Sequence, residues 1–310
     1  MYMFDNRITI ENRPILEKYL NAFEYKTSGL SFSALYMWRE SNCFSWDIVG
    51  DYLCICGISH LELEDGIILP FLFPPLTCTG EYEKESLRET ILWLRDYFEK
   101  AGQPFSLRLV PFHLMEIIRE AVPELRWRDD RPNYDYIYRT QDLIDLKGRD
   151  YHSKKNHLNY FKKTYDYEYI ELTSDMAEEC MQFVDEFNAR KEVPEHEKEM
   201  LRIEEEAMRD VFTNLEAVGY SAGAILIDGK IEALAVGGQL GRNTITEHVE
   251  KANATFRGLY QAINNEYCKH VASRAKYINR EEDMGLPNLR KAKLSYRPCK
   301  LLEKYIGEFR

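Results

Sequence analysis

Asp228-Gly229 sits between two apolar runs, Ala222 to Ile227 and Ile231 to Gln239, and Thr244 to Ala252 follows them. Asp-Gly supplies the positive φ angles of a tight two-residue turn, so the two runs are predicted to pair as an antiparallel hairpin. The third run extends it into a meander. A second hairpin is predicted in the first half, where Phe44 to Val49 and Tyr52 to Cys56 flank Gly50-Asp51. Helical spacing appears beside both. In Glu83 to Ala101 the residues Leu87, Ile91, Leu94 and Phe98 form one stripe, and Gly102 stops it. Further helices are expected over Tyr151 to Tyr165, Asp175 to Ala189, Glu197 to Val218 and Gly258 to His270, with a basic helix after Pro287. Strands are expected over Gly66 to Leu72, Phe105 to Val110, Asp135 to Arg139, Tyr167 to Leu172 and Ala275 to Asn279. The order of strands, helix, strand and helix occurs in both halves. It implies two copies of one α/β (α+β) architecture, residues 1–140 and 141–310.

Composition narrows the function. The chain has 310 residues and a net charge of -11, which argues against gripping nucleic acid with the whole surface. Seven scattered cysteines do not make a disulfide framework, and Cys54 and Cys56 read as core thiols. No metal site is expected. The longest apolar run, Gly66 to Leu76, is 11 residues with three prolines, short of the ~20 a membrane helix needs. A cytoplasmic protein without a transmembrane segment is expected.

The charge is unevenly placed. Asp175 to Glu206 holds 12 acidic and four basic residues. Residues 151–165 hold four lysines, among them Lys154 and Lys155, and no acid. Residues 286–301 hold Arg290, Lys291, Lys293, Arg297 and Lys300, again without an acid. Each basic segment reads either as a site for phosphate, tRNA or a carboxylate, or as a solvated helix whose charges suit its dipole. On the strand Thr244 to Ala252, simple alternation puts Ile245, Glu247, Val249 and Lys251 on one face, and His248 and Glu250 on the other. Glu247 between β-branched neighbours is a candidate general base, its pKa raised by burial. His248 is a second candidate. A surface-facing charged strand is the competing reading.

The meander, the strand 244–252, the helix opening at Arg257-Gly258 and the strand Tyr277-Ile278-Asn279 resemble the GNAT N-acyltransferase fold. Lys154-Lys155-Asn156-His157-Leu158-Asn159-Tyr160-Phe161, with Asn279…Asp283-Met-Gly285…Leu289-Arg-Lys-Ala-Lys293…Tyr296-Arg-Pro298, resembles a more specific family. That family is built on the C-terminal domain of phosphatidylglycerol lysyltransferase, with two GNAT-like (acyl-CoA N-acyltransferase-like) domains in tandem. The resemblance implies transfer of an acyl or aminoacyl group from aminoacyl-tRNA or a CoA thioester to an amine or hydroxyl, with peripheral contact to a lipid substrate. It implies Glu247 as base, backbone N–H groups near Val249 to Lys251 as oxyanion donors, and Tyr296 as acid. Lys154, Lys155, Arg257, Gly258, Asn279, Arg290, Lys291 and Lys293 would hold the donor. Arg257-Gly258-Leu259-Tyr260 meets the acetyl-CoA signature only in part. A non-catalytic GNAT-like module that binds an anion or a partner protein is the alternative.

Overall fold

The hairpin predicted at Asp228-Gly229 forms. Tyr220–Ile227 pairs antiparallel with Lys230–Leu240, which pairs antiparallel with Thr244–Ala252. In this computed structural model residues 3–58, 69–190, 195–271 and 274–309 are described. Of the strand expected over Gly66 to Leu72, Pro70–Leu72 is observed, and Gly66 to Ile68 lie outside the described residues.

The chain divides into two compact units. The first comprises Met1–Asp135, Glu282–Leu286 and Leu302–Arg310; the second comprises Tyr136–Glu281 and Pro287–Leu301. The division read at residue 140 assigned everything beyond it to the second copy. The chain instead returns, and Lys304–Glu308 pairs with both Ser106–Pro111 and Arg126–Asp129 in the sheet of the first unit. That eight-stranded sheet includes the Ser45–Val49 and Tyr52–Ile58 hairpin. Cys54 and Cys56 are buried in it, and burial pushes both thiols up. Lys84–Lys100 covers it with the predicted stripe: Leu87, Ile91, Leu94 and Phe98 are all fully buried. Its N-cap is Glu83, whose carboxylate accepts from the N–H groups of Glu85 and Ser86.

The second unit is built on a seven-stranded sheet. Its order is Lys300–Leu302, Asp135–Arg139, Tyr277–Asn279, Thr244–Ala252, Lys230–Leu240, Tyr220–Ile227 and Glu168–Glu171. Thr244–Ala252 and Tyr277–Asn279 run parallel, but only Thr244 to Thr246 pair with Tyr277 to Asn279. Beyond that point Tyr277–Asn279 ends, and Thr244–Ala252 continues without a parallel partner among the described residues. The helix Leu259–Val271 lies on one face and buries Ala262, Ile263 and Tyr267 against Ile225, Ala235 and Ile245. Each large apolar side chain so buried stabilises by about 1.5–3 kcal/mol. The helix His152–Thr164 adds Leu158 and Phe161 to this core. Among the described residues no helix is long and apolar enough to cross a membrane.

Candidate active site

The strand Thr244–Ala252 does not alternate simply. Gly237 faces Glu247 and Val236 faces Val249, so His248 is an extra residue, a β-bulge. The bulge is built around Gly237, where an added Cβ would lie 2.3 Å from the Thr246 carbonyl oxygen and 2.3 Å from the Tyr267 hydroxyl. Its consequence corrects the face assignment from the sequence. Glu247 shares a side with Glu250, not with Val249 and Lys251. Lys251 instead pairs with Glu204 at 2.9 Å, and its ammonium lies 5.0 Å from the Phe187 ring centre.

Arg280 joins the two glutamates. Its Nε lies 2.5 Å from Glu247 Oε2, and its Nη2 lies 2.9 Å from Glu250 Oε2. The Glu247 contact is close but poorly angled, and neither of its oxygens accepts a well-aligned hydrogen bond. Glu250 also accepts from Asn264 Nδ2 at 3.1 Å. Glu247 is the deep member, its side chain 2% exposed against 13% for Glu250. Burial pushes the Glu247 carboxyl up to about 8; Arg280 pulls the other way, and Glu250 adds to the rise. Burial works to lower Arg280, but the two carboxylates outweigh it and hold the guanidinium well above its ordinary value.

The backbone of Arg280 is fixed from three directions. Its N–H donates to the Tyr136 carbonyl (2.9 Å), the Lys293 ammonium donates to its carbonyl, and the following Glu281 N–H donates to Asn279 Oδ1 at 2.8 Å. Asn279 is fully buried, and its amide caps this turn, where Glu281 has a φ of +56°. Lys293 is likewise tied to the turn.

Tyr296 lies against the cluster. The Arg280 guanidinium is 5.3 Å and the Lys154 ammonium 4.2 Å from its ring centre. Burial raises the Tyr296 hydroxyl, which is hydrogen-bonded to Gln261. A hydroxyl so raised keeps its proton at neutral pH and can donate it in a hydrogen bond. Burial lowers Lys154, and Arg280 lowers it further. His248 stands apart from this cluster: its Nδ1 is 2.8 Å from Glu281 Oε1, and its ring meets Tyr220 edge-on.

The remaining cationic candidates lie further out. Lys155 and Lys291 are exposed, Arg290 is half-buried, and the Arg257 guanidinium lies 4.7 Å from the Tyr160 ring centre. Gly258 has a φ of +91°, and a Cβ there would lie 2.3 Å from the His157 carbonyl oxygen and 3.0 Å from Phe161 Cβ. Helix packing accounts for this glycine. Gly258→Ala is therefore expected to cost about 1–3 kcal/mol by overpacking, with backbone strain added, as read from urea unfolding. A loss below 0.5 kcal/mol would contradict this account.

The open strand edge completes the site. The Asn253 N–H donates to the Glu232 carbonyl across the hairpin at 2.9 Å. Alternation then turns the Glu250 and Ala252 N–H groups toward the edge where pairing with Tyr277–Asn279 has stopped. The Ala252 backbone is hydrogen-bonded to the Tyr260 hydroxyl. Arg280 and Glu250 were missed as partners from sequence. The signal available was Gly237-Gly238 inside a strand pattern, which marks a bulge.

Known proteins resemble this chain over most of its length. The family model for phosphatidylglycerol lysyltransferase, C-terminal, matches residues 21–307. A conserved protein of unknown function from Bacteroides thetaiotaomicron is 30% identical, each chain covered to 100%, with a TM-score of 0.86. The structure of L-PGS from Bacillus licheniformis superposes with a TM-score of 0.65 at 12% identity, covering 98% of this chain and 93% of that one. A tandem GNAT protein from the clavulanic acid biosynthesis pathway gives 0.50 at 7% identity, covering 98% and 97%. The chain spans about half the length of the curated relative it matches. The fold is thus the mixed α/β, tandem GNAT-like one expected from the sequence, and the chain belongs to the phosphatidylglycerol lysyltransferase C-terminal-domain family.

Proposed function

We propose that the protein transfers an acyl or aminoacyl group from an activated donor, aminoacyl-tRNA or a CoA thioester, to an amine or hydroxyl acceptor. The observation that carries this reading is the Glu247–Glu250 pair, held by Arg280 just past the end of the parallel pairing. A buried carboxyl pushed up to about 8 is matched to proton abstraction near neutral pH.

The two carboxyls share one guanidinium. Glu250, the more exposed member, receives the proton of the acceptor N–H or O–H and shares it with Glu247. The freed nucleophile attacks the donor carbonyl, whose oxygen becomes an oxyanion. The edge-facing N–H of Glu250 donates to it. The ester or thioester bond then breaks, and the leaving oxygen or sulfur takes the proton held by the Glu247–Glu250 pair, which restores the base. Arg280 acts as a positioning residue that keeps the pair together. Lys154, above Tyr296, faces the donor, with Lys155, Arg257, Arg290 and Lys291 on the outer approach.

The reading is tested by single-turnover mixing with labelled aminoacyl-tRNA or acyl-CoA, followed with and without amine and lipid acceptors. Acceptor-dependent loss of the donor ester supports it; donors that survive every acceptor at the rate of buffer alone refute it. The donor approach has its own test. Each phosphate contact removed should lower the slope of log affinity against log salt by about 0.7–0.9. Lys155→Ala with Lys291→Ala is expected to lower it by up to twice that for a tRNA donor, and an unchanged slope removes both residues from the donor site.

One observation favours a second reading. The Tyr296 ring occupies the space beneath Lys154, as in a module that binds an anion without chemistry. Such a module would retain the donor affinity but give no turnover.

A further inference from the structure

We propose that the second unit carries a separate phosphate site at the opposite end of its parallel strand pair. Asn243 and Lys276 immediately precede the parallel strands Thr244–Ala252 and Tyr277–Asn279, so both lie where those strands begin. The Glu247–Arg280 cluster lies just past the other end of that pairing. At the beginning is a cavity of about 780 Å³.

Three of its lining residues are cations, Arg242, Arg274 and Lys276, and among the described residues no carboxylate lines it. In a chain of net charge -11, that cationic cluster stands against the overall charge. Among the described residues neither Arg242 nor Lys276 has a carboxylate partner. Arg274 donates to Ser221 Oγ at 2.7 Å, which orients it.

The walls are fixed by backbone. Lys276 and Tyr277 both donate their N–H groups to the Asn243 carbonyl, at 2.8 and 3.0 Å, and Thr140 N–H donates to the Lys276 carbonyl at 3.0 Å. The turn that carries Arg242 is closed by the Gln239 amide, which donates to the carbonyls of Gly241 (2.8 Å) and Thr244 (3.2 Å).

One further atom points to a ligand. Thr140 is among the lining residues, is 3% exposed, and its buried hydroxyl has no hydrogen-bond partner among the described residues. Buried hydroxyls are ordinarily paired, so a lone one on a residue that lines a cationic cavity lacks its acceptor. Phosphate oxygens supply both that acceptor and the charge that three cations require. The volume exceeds what a single ion fills and falls in the range of small-molecule sites, roughly 300–1,000 Å³. The ligand class is a soluble phosphorylated small molecule carrying at least two negative charges.

The test is thermal unfolding of the intact chain against inorganic pyrophosphate and against ADP, with ionic strength held constant by chloride. The unfolding midpoint is expected to rise saturably, as ligation of the native state requires. Arg242→Ala with Lys276→Ala, both at exposed positions, should weaken binding at least about 10-fold. Thr140→Val keeps the shape of the side chain and should weaken binding several-fold, with unliganded stability unchanged or higher. ADP binding tighter than pyrophosphate identifies a nucleotide as the source; equal affinities identify the phosphate group alone. No saturable rise over chloride, or unchanged affinity in the double variant, overturns the proposal. Glu247→Gln separates this site from the reaction centre: pyrophosphate binding survives in it if the sites are distinct, and its loss there also overturns the proposal.

Discussion

Replacing Arg280 with alanine is expected to destabilise the fold by about 3–5 kcal/mol, with the loss larger at pH 9 than at pH 6. The guanidinium is the cation that offsets Glu247 and Glu250, whose side chains are 2% and 13% exposed. Its removal leaves two carboxyls close together in a site where water cannot solvate them. The sign of the pH effect follows from Glu247. Burial raises its folded-state carboxyl to about 8, above its ordinary value of 4.5. The folded chain therefore holds a proton there that the unfolded chain has released, and this contribution is fully present below about pH 4.5. It declines as pH rises and is lost above about 8. At pH 6 Glu247 is mainly neutral and needs Arg280 least. At pH 9 it is charged in the wild type, and the alanine variant must bury that charge alone or take up a proton. Urea unfolding at the two pH values reads the difference. Adding Glu247→Gln to the variant removes the charge and should recover much of the loss at pH 9. Equal losses at both pH values, or a total loss under 1 kcal/mol, would show that Arg280 does not offset this pair.

The same cluster shows which parts of the protein were legible in the sequence. Asp228-Gly229 dictates its turn locally, and the stripe Leu87, Ile91, Leu94 and Phe98 dictates its helix, so both were readable. The bulge at His248 was not, because it depends on Gly237 of the neighbouring strand meeting Thr246 and Tyr267. One extra residue exchanged the neighbours of Glu247, replacing Val249 with Glu250. Arg280 was hidden for a related reason. In sequence it opens an acidic stretch, Glu281-Glu282-Asp283, which draws attention to capping and loop charge. In space its partners are about thirty residues earlier. The return of Lys304–Glu308 to the first sheet is likewise a pairing between distant segments, which periodicity does not encode. The glycine read as part of a donor loop, Gly258, proved to be a point of helix contact, since a sequence motif cannot distinguish a cradle from a close approach.

Glu247→Gln is expected to reduce the rate of acyl transfer by about 10²–10⁴-fold, the range contributed by general acid–base catalysis. The amide preserves size and still meets Arg280, but it cannot accept the proton. In the wild type kcat/KM should rise with pH and level off above about 8, because the Glu247 carboxyl must be ionised to take up the proton and burial pushes it up to about 8. The variant should lose that limb along with the rate. A structural role for Glu247 would move stability and KM and leave the pH limb in place on the residual activity. Glu250→Gln gives the complementary readout. If Glu250 receives the proton first, its amide variant should fall at least as far as Glu247→Gln, and the double variant little further, since residues that act as a unit are not additive. Additive losses would mean that the two carboxyls act independently. Full turnover in Glu247→Gln, with its pH profile intact, would remove the buried carboxyl from the chemistry. Arg280 would then remain as the clamp of a binding cleft, and the anion-binding module would be the surviving account of this family member.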